Sequence, residues 1–288
     1  MAVHHRYATV RGQRLFYREA GPADAPSLVL LHGYPTSSFM FRHLIPALAD
    51  RYRVIAPDHL GFGLSDAPGV DAFDYTFDAL TELTAGLLAQ LGVDRYALYV
   101  QDYGAPIGWR LALDNPDAVT AIVTQNGNGY EAGFVEEFWT PVWAYAKDPN
   151  PQTEAALRPA LGLDAIKWQY LHGVPDPSLV SPDAWHHDAA LVQRPGNDLV
   201  QLKLFRDYIT NLDVYPRLHA YLRAGRVPLL AVWGRNDEIF GPAGATAFRD
   251  DVPDAEVHLV DGGHFLLESH LETVADHVRA FLGRVPGR

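Results

Sequence analysis

Three titratable side chains occupy corresponding places in the chain, each just after a segment that is predicted to be a buried strand. They are Asp102, Asp237 and His264, which follow the apolar runs 97–100, 228–233 and 255–260. Because the carboxyl ends of parallel strands meet at one edge of a sheet, we expect these three groups to converge although they are far apart in sequence. Their order along the chain is that of a catalytic triad of nucleophile, acid and histidine.

The segment around Asp102 has the pattern of a strand, a sharp turn and a helix. Residues 98–111 read LYVQDYGAPIGWRL, in which the apolar run stops at Gln101 and a helical pattern with Pro106 in its first turn follows at once. A nucleophile elbow has this form and presents one side chain above the carboxyl edge of the sheet. Taken alone, Asp102 could equally be the N-cap of the following helix. The joint position of the three groups favours the catalytic interpretation.

An aspartate at the elbow, where serine is more common, indicates a particular reaction. A serine must lose its proton before it attacks a carbonyl, whereas a carboxylate is already ionised near neutral pH and can displace a leaving group at saturated carbon. The product would be an alkyl ester of Asp102. His264, oriented by Asp237, would then take a proton from water, and the hydroxide would attack the carboxyl carbon of that ester.

Length and composition limit the classes of protein to consider. The 288 residues allow one large domain or a domain with a substantial insertion. A formal net charge of −12 without a basic stretch argues against nucleic acid or an anionic membrane as a partner, and the absence of cysteine excludes disulfides and thiolate metal sites. No apolar run approaches the roughly 20 residues that span a bilayer, and the N-terminus lacks a signal-peptide core. We expect a cytoplasmic protein; the sequence does not indicate its oligomeric state.

The elements that position the triad follow from the alternation of apolar runs with helical patterns. This alternation predicts a mostly parallel sheet covered by helices on both faces, opened by an antiparallel hairpin. Helices are expected from Ser37 or Ser38 to about residue 50, over 76–91 with Thr76 as the N-cap, and over 267–282 with Glu268 in the first turn. Strands are predicted at 7–10, 15–19, 27–31, 52–56, 97–100, 119–124, 228–233 and 255–260.

The alternation stops between about Asn126 and Ala224. This stretch is rich in aromatic residues and proline, contains four of the six tryptophans, and is predicted to form helices without strands between them. We therefore expect a core domain of residues 1–127 and 225–288 with a helical lid of residues 128–224. The pair His186 and His187 is expected in a solvated loop, since no partner spacing supports a metal site.

Together these features resemble the α/β-hydrolase fold family, in particular its branch with an aspartate nucleophile, the epoxide hydrolases and the haloalkane and haloacid dehalogenases. The resemblance covers nearly the whole chain and implies an eight-stranded, mostly parallel sheet with the lid between strands six and seven. It also implies oxyanion-binding N–H groups on the backbones of Tyr34 and Tyr103, with no metal and no cofactor. Its motifs are HGYP at 32–35, the glycine-rich loop at 58–66, QDYG at 101–104, WGRND at 233–237 and GGHF at 262–265.

One position departs from the usual elbow. Two residues before the nucleophile the family has a small residue, whereas this chain has Val100. Strand and helix must still approach each other, and Gly104 provides room on one side only.

The leaving group depends on the side chains beside Asp102. Resemblance to haloalkane dehalogenases would require asparagine at position 34 and tryptophan at 103, and resemblance to fluoroacetate-type dehalogenases would require arginine at 103 and near it. Tyr34, Tyr103 and Pro106 break both signatures. Epoxide hydrolases instead have an aromatic residue after His-Gly and lid tyrosines that protonate the epoxide oxygen. The segment Arg206-Asp207-Tyr208 resembles one that bears such a tyrosine, so Tyr208 is the candidate acid.

Other lid residues stay open as pocket candidates. The second lid tyrosine could be Tyr130, Tyr145 or Tyr170, and Trp139 could offer its indole N–H to a leaving group, although packing is the favoured role of Trp139. The favoured function is an epoxide hydrolase that converts a small hydrophobic substrate and water to a diol. The alternatives are a haloalkane or haloacid dehalogenase with an atypical halide site, and a non-catalytic ligand-binding protein on the same scaffold.

Overall fold

The eight strands form one sheet in the order β1-β2-β4-β3-β5-β6-β7-β8. A computed structural model describes residues 2–225 and 227–285; residues 1, 226 and 286–288 of the predicted core domain lie outside this description. Strands β1 and β2 pair antiparallel, β2 pairs antiparallel with β4, and all other pairs are parallel, which confirms the predicted fold class. The strands are β1 (His4–Val10), β2 (Gln13–Ala20), β3 (Ser27–Leu31), β4 (Arg53–Pro57), β5 (Tyr96–Gln101), β6 (Val119–Gln125), β7 (Leu229–Gly234) and β8 (Glu256–Val260).

Burial along the strands follows their place in the sheet. Every residue of β5 and β7 is buried, as expected for parallel strands covered by helices on both faces. Strand β8, at one edge, has only partly buried residues. The helices of the core are α1 (Leu44–Leu48), α2 (Phe77–Gln90), α3 (Gly104–Asp114), α10 (Pro242–Asp251), α11 (Leu266–Ser269) and α12 (Leu271–Leu282).

The predicted N-cap of α2 is confirmed, but two other predicted helices are interrupted. The Thr76 side chain accepts a hydrogen bond from the backbone of Ala79. The helix expected from residue 38 is a short 3₁₀ turn, Ser38–Phe41, followed by α1. The last helix breaks at His270, whose backbone is not helical and whose ring lies against Gly262 in the loop before His264. Glu268 therefore lies before the long helix α12 and pairs with Arg42 at 2.8 Å.

Six helices connect β6 to β7 without an intervening strand, as the sequence predicts. The prediction of a loop at His186 and His187 is wrong, because both residues lie in one of these helices, α7 (Pro182–Val192). The Ser181 hydroxyl caps α7, and the ring of His187 stacks on Phe39 at 4.0 Å. The six helices are α4 (Glu136–Lys147), α5 (Pro151–Leu157), α6 (Leu163–Leu171), α7 (Pro182–Val192), α8 (Asn197–Asp207) and α9 (Thr210–Arg223). No helix in the described part of the chain is long and apolar enough to cross a bilayer.

Candidate active site

Asp102, Asp237 and His264 meet at the carboxyl edge of the sheet. They follow β5, β7 and β8, and all three side chains are buried. Nδ1 of His264 lies 2.8 Å from Oδ2 of Asp237, and Nε2 lies 4.0 Å from Oδ2 of Asp102. The histidine thus lies between the two carboxylates, with its hydrogen bond on the Asp237 side.

The backbone of Asp102 adopts the conformation of a strained turn. Its φ of 47° lies in the left-handed region, which is uncommon for a residue other than glycine. Oδ1 of Asp102 accepts a hydrogen bond of 2.6 Å from the backbone N–H of Tyr34, and the backbone N–H of Tyr103 also donates to this carboxylate. Helix α3 begins at Gly104 without a side-chain cap, so Asp102 is not its N-cap.

Two glycines make room for this turn. A Cβ on Gly104 would lie 2.0 Å from the backbone oxygen of Leu31, and a Cβ on Gly108 would lie 2.5 Å from Cγ1 of Val100. Gly108, one helical turn after Gly104, therefore accommodates the larger Val100 that departs from the usual elbow.

Asp102 and His264 face each other, and their protonation is set by burial and by the charge that each places on the other. Burial raises the pKa of Asp102 to about 6, although His264 and the N–H groups of Tyr34 and Tyr103 act to lower it. Burial alone would lower the pKa of His264, but the charges of Asp237 and Asp102 outweigh it and the pKa is raised. Opposite charges close together favour both ionised forms, so Asp102 binds a proton less readily when His264 is protonated, and the protonation of each group depends on that of the other.

Asp237 is held in place by a residue that the sequence interpretation missed. The side-chain amide of Asn126 donates to Oδ2 of Asp237 at 2.7 Å, and Oδ1 of Asn126 accepts from the backbone of Gly234 at 3.0 Å. The backbone N–H of Ile239 donates to the other carboxylate oxygen at 2.8 Å. Asn126 directly follows β6, and that position at the same sheet edge was the available signal.

Gln101 is a second missed residue. Its side-chain nitrogen lies 2.8 Å from Nε2 of His264, and its side-chain oxygen has no hydrogen-bond partner among the described residues. Since Nε2 here accepts from the amide and Nδ1 donates to Asp237, the arrangement fits a neutral imidazole. Gln101 is the last residue of β5, next to Asp102, so its position in the elbow could have identified it.

Tyr208, just after α8, lies with Tyr103 and Trp139 in a cluster of buried rings next to Asp102, which we call the chamber. Its ring packs 4.5 Å from Trp139 and 5.7 Å from Tyr103, and it is fully buried. Burial raises the pKa of both tyrosines well above the ordinary value, and the charge of Asp102 raises each further. Neither hydroxyl makes a hydrogen bond of ordinary geometry to a described residue, although the hydroxyl of Tyr215 lies beside that of Tyr208. Tyr103 and Tyr208 thus present two protonated hydroxyl groups near the carboxylate.

The indole of Trp139 is not free to hold a leaving group. Its N–H donates to the backbone oxygen of Ile239 at 2.8 Å. The hydroxyl of Tyr34 is likewise engaged, with the backbone oxygen of Ala160 at 3.0 Å, while its backbone N–H serves Asp102. Trp139 therefore contributes to the chamber through its ring, as the packing interpretation expects.

The structure does not place the hydroxyls of the three candidate second tyrosines against Asp102. The hydroxyl of Tyr130 donates to Asp251 at 2.7 Å, and its ring stacks on His219. The hydroxyl of Tyr170 bonds to Asp188, although its ring stacks on Phe265 at 4.4 Å, next to His264. Burial raises the pKa of Tyr145, and the charges that also act on this hydroxyl are those of Glu154, Arg206 and Arg158. The tyrosine hydroxyls that act on that of Tyr208 are those of Tyr215 and Tyr103.

Within the described residues, no group of three or more His, Asp or Glu side chains could hold a metal ion. The groups present at the site are the carboxylates, the imidazole, the tyrosine hydroxyls and the backbone N–H groups, which suit acid–base and nucleophilic chemistry.

Comparison with known proteins supports the same architecture. The chain is 44% identical over 277 residues, 95% of both chains, to the uncharacterized hydrolase YNR064C of Saccharomyces cerevisiae. The haloalkane dehalogenase DbeA from Bradyrhizobium elkani superposes with a TM-score of 0.83 at 24% identity over 99% of both chains. The epoxide hydrolase CorEH superposes with a TM-score of 0.80 at 22% identity, over 99% of this chain and all of its own. Residues 26–271 match the family model described as alpha/beta hydrolase fold, and the chain belongs to that family.

Proposed function

We propose that this protein is an epoxide hydrolase that acts through an ester of Asp102. The observation that carries the proposal is the pair of buried hydroxyls of Tyr103 and Tyr208, which make no hydrogen bond of ordinary geometry in the described structure and on which the charge of the Asp102 carboxylate acts. A buried hydroxyl without a partner costs about 1–3 kcal/mol, and an epoxide oxygen would satisfy both groups. A halide leaving group would need an N–H donor such as an indole, and the indole N–H of Trp139 is already bonded to the backbone oxygen of Ile239.

The first step forms a bond between Asp102 and one epoxide carbon. A carboxylate oxygen attacks that carbon while its bond to the epoxide oxygen breaks, and the released oxygen takes a proton from Tyr208. The high pKa of Tyr208 keeps the hydroxyl protonated until this negative charge develops. The product is a hydroxyalkyl ester of Asp102.

The second step hydrolyses the ester. A water molecule gives a proton to Nε2 of His264, and its oxygen attacks the carboxyl carbon, where the N–H groups of Tyr34 and Tyr103 stabilise the oxyanion. Collapse of this intermediate releases the diol, which takes the proton from His264, and the second proton of the water restores Tyr208. Asp237, held by Asn126, stabilises the imidazolium.

Gln101 controls access to His264 in this scheme. Nε2 has one lone pair, which the Gln101 amide now occupies at 2.8 Å, so the amide must move aside before water can donate to the same nitrogen. The unpaired oxygen of Gln101 then provides an acceptor for the second proton of that water.

Residues 128–224 serve as a lid in this proposal. The core supplies the triad and the backbone N–H groups, while the helical segment supplies Tyr208. Because Asp102, His264 and Tyr208 are all buried, a substrate reaches them only when neighbouring side chains move.

A panel of epoxides and organohalides, assayed in parallel on the wild type and on Asp102→Ala, tests the proposal. We expect diol formation from epoxides by the wild type and none by the variant. Halide release without epoxide turnover would favour the dehalogenase, which shares the triad. Tight binding with no turnover of either class would favour a non-catalytic binding protein.

A further inference from the structure

One face of α8 extends from the rings beside Asp102 to a cavity near the start of the helix. Tyr208, Phe205 and Gln201 are spaced so that they lie on the same side of the helix. Phe205 packs against the rings of Tyr34 and Tyr103 at 5.3 and 6.2 Å, so this side faces the nucleophile. Gln201 lies seven residues before Tyr208, about 10 Å along the helix axis.

Gln201 is a buried amide without partners. Its side chain is 0% exposed, and neither its nitrogen nor its oxygen has a hydrogen-bond partner among the described residues. It forms part of the wall of a cavity of about 190 Å³ whose other lining residues include Leu161, Arg194 and Asp198. A buried polar side chain left unsatisfied is costly in a native fold and calls for an explanation.

Arg194, in the same wall, has no carboxylate partner in the described residues. Its Nε is buried and unpaired, and its one hydrogen bond is a long contact of 3.4 Å to the backbone of Gly61. The acidic residue of the cavity wall, Asp198, is already paired with Arg158 at 2.9 Å. The cavity wall therefore combines a guanidinium that has no ion pair among the described residues, although the charge of Asp58 acts on it, with the free N–H groups of one amide. Guanidinium and amide N–H groups are donors that recognise a carboxylate.

We propose that this cavity binds a carboxylate group of the substrate, held by Arg194 and Gln201, while the epoxide lies at Asp102. The substrate would be an epoxide on an apolar chain with a carboxylate at its far end. The chain would run from Asp102 past Phe205, whose ring contacts that of Tyr34; the Tyr34 hydroxyl in turn bonds to the backbone of Ala160, next to Leu161 of the cavity wall. This inference rests on the proposed function.

Calorimetric titration of Asp102→Ala, which cannot turn over, isolates binding from catalysis. An alkanoate is compared with the alkanol of the same length. We expect the alkanoate to bind more tightly, and Arg194→Met to weaken it about ten-fold or more through loss of a charge-assisted contact. Arg194→Lys should recover part of the affinity. Arg206 is an exposed arginine on α8, the helix that carries Gln201. Arg206→Met is therefore the matched control and should leave the affinity unchanged.

A second variant separates binding from folding. Gln201→Leu should weaken alkanoate binding while the melting temperature stays the same or rises, because an unsatisfied buried amide is removed. Equal affinity of alkanoate and alkanol, or alkanoate affinity unchanged in Arg194→Met, would overturn the carboxylate site. The proposed function is tested separately by the epoxide panel, because neutral epoxides have no carboxylate and react at Asp102 without using this cavity.

Discussion

The side-chain nitrogen of Gln101 lies 2.8 Å from Nε2 of His264, on the nitrogen that must accept a proton from water. An N–H donor at this place stabilises the neutral imidazole, because the protonated ring has no lone pair to offer. Gln101 is therefore a positioning residue in the proposed cycle, which links the protonation of His264 to the entry of water.

Gln101→Leu should raise the pKa of His264, since the donor that favours the neutral ring is lost. Nitrogen NMR of histidine side chains measures this pKa without any substrate. Gln125→Leu is the control, because Gln125 bonds to the backbone oxygen of His264 and to the hydroxyl of Tyr99, and not to the imidazole. A pKa of His264 that falls, or that stays unchanged in Gln101→Leu, would contradict the role of Gln101.

The rate of ester formation should decline below about pH 6. Only the ionised form of Asp102 attacks, and its pKa is about 6 because of burial. The pH profile of kcat/KM for an epoxide measures this limb. In His264→Gln the pH at which the rate of ester formation falls should be higher, because His264 lowers the pKa of Asp102 in the wild type. A limb near the ordinary carboxyl value, about pH 4, would contradict the assignment.

Asp102→Asn should stabilise the fold at neutral pH. The pKa of Asp102 is higher in the folded chain, about 6, than its ordinary value of 3.8, so ionisation destabilises the fold as pH rises between these values. The gain of the variant should be on the order of 2–3 kcal/mol above about pH 6 and should vanish near pH 4. Urea unfolding across this range measures it. The exposed Asp71→Asn is the control, and a gain that grows as pH falls would contradict the sign.

Tyr208→Phe should slow the opening of epoxides by about 10²-fold or more, since a proton donor to the leaving oxygen is lost. Displacement of a halide needs no proton, so an alkyl halide, if it reacts at all, should be affected far less. Rapid-quench measurement of ester formation tests both. Equal effects on the two classes would show that Tyr208 acts through packing in the chamber.

The sequence predicts the sheet, and the meeting of Asp102, Asp237 and His264 at its edge, because both depend on local signals. Buried strands read as continuous apolar runs, and Asp102, Asp237 and His264 each follow one of them directly. Helix α7 escaped prediction because half-buried polar residues such as His187 obscure its apolar face, and tertiary stacking on Phe39 stabilises it.

Apart from Asp102, Asp237 and His264, side-chain partners distant in sequence could not be predicted. Tyr130 looked like a pocket residue, yet its hydroxyl bonds to Asp251, 121 positions away. Gln101 and Asn126 gave no chemical signal of their own, since an amide gains a role only from the carboxylate or imidazole that folding places beside it.

The ester of Asp102 is the central claim, and intact-protein mass spectrometry of His264→Gln tests it most directly. Without His264 the second step lacks its base, so an epoxide that the wild type turns over should leave an adduct of the full substrate mass. Proteolysis should place the adduct on the peptide that contains Asp102, and the double variant with Asp102→Ala should show none. Absence of an adduct on His264→Gln with such a substrate would contradict the two-step mechanism.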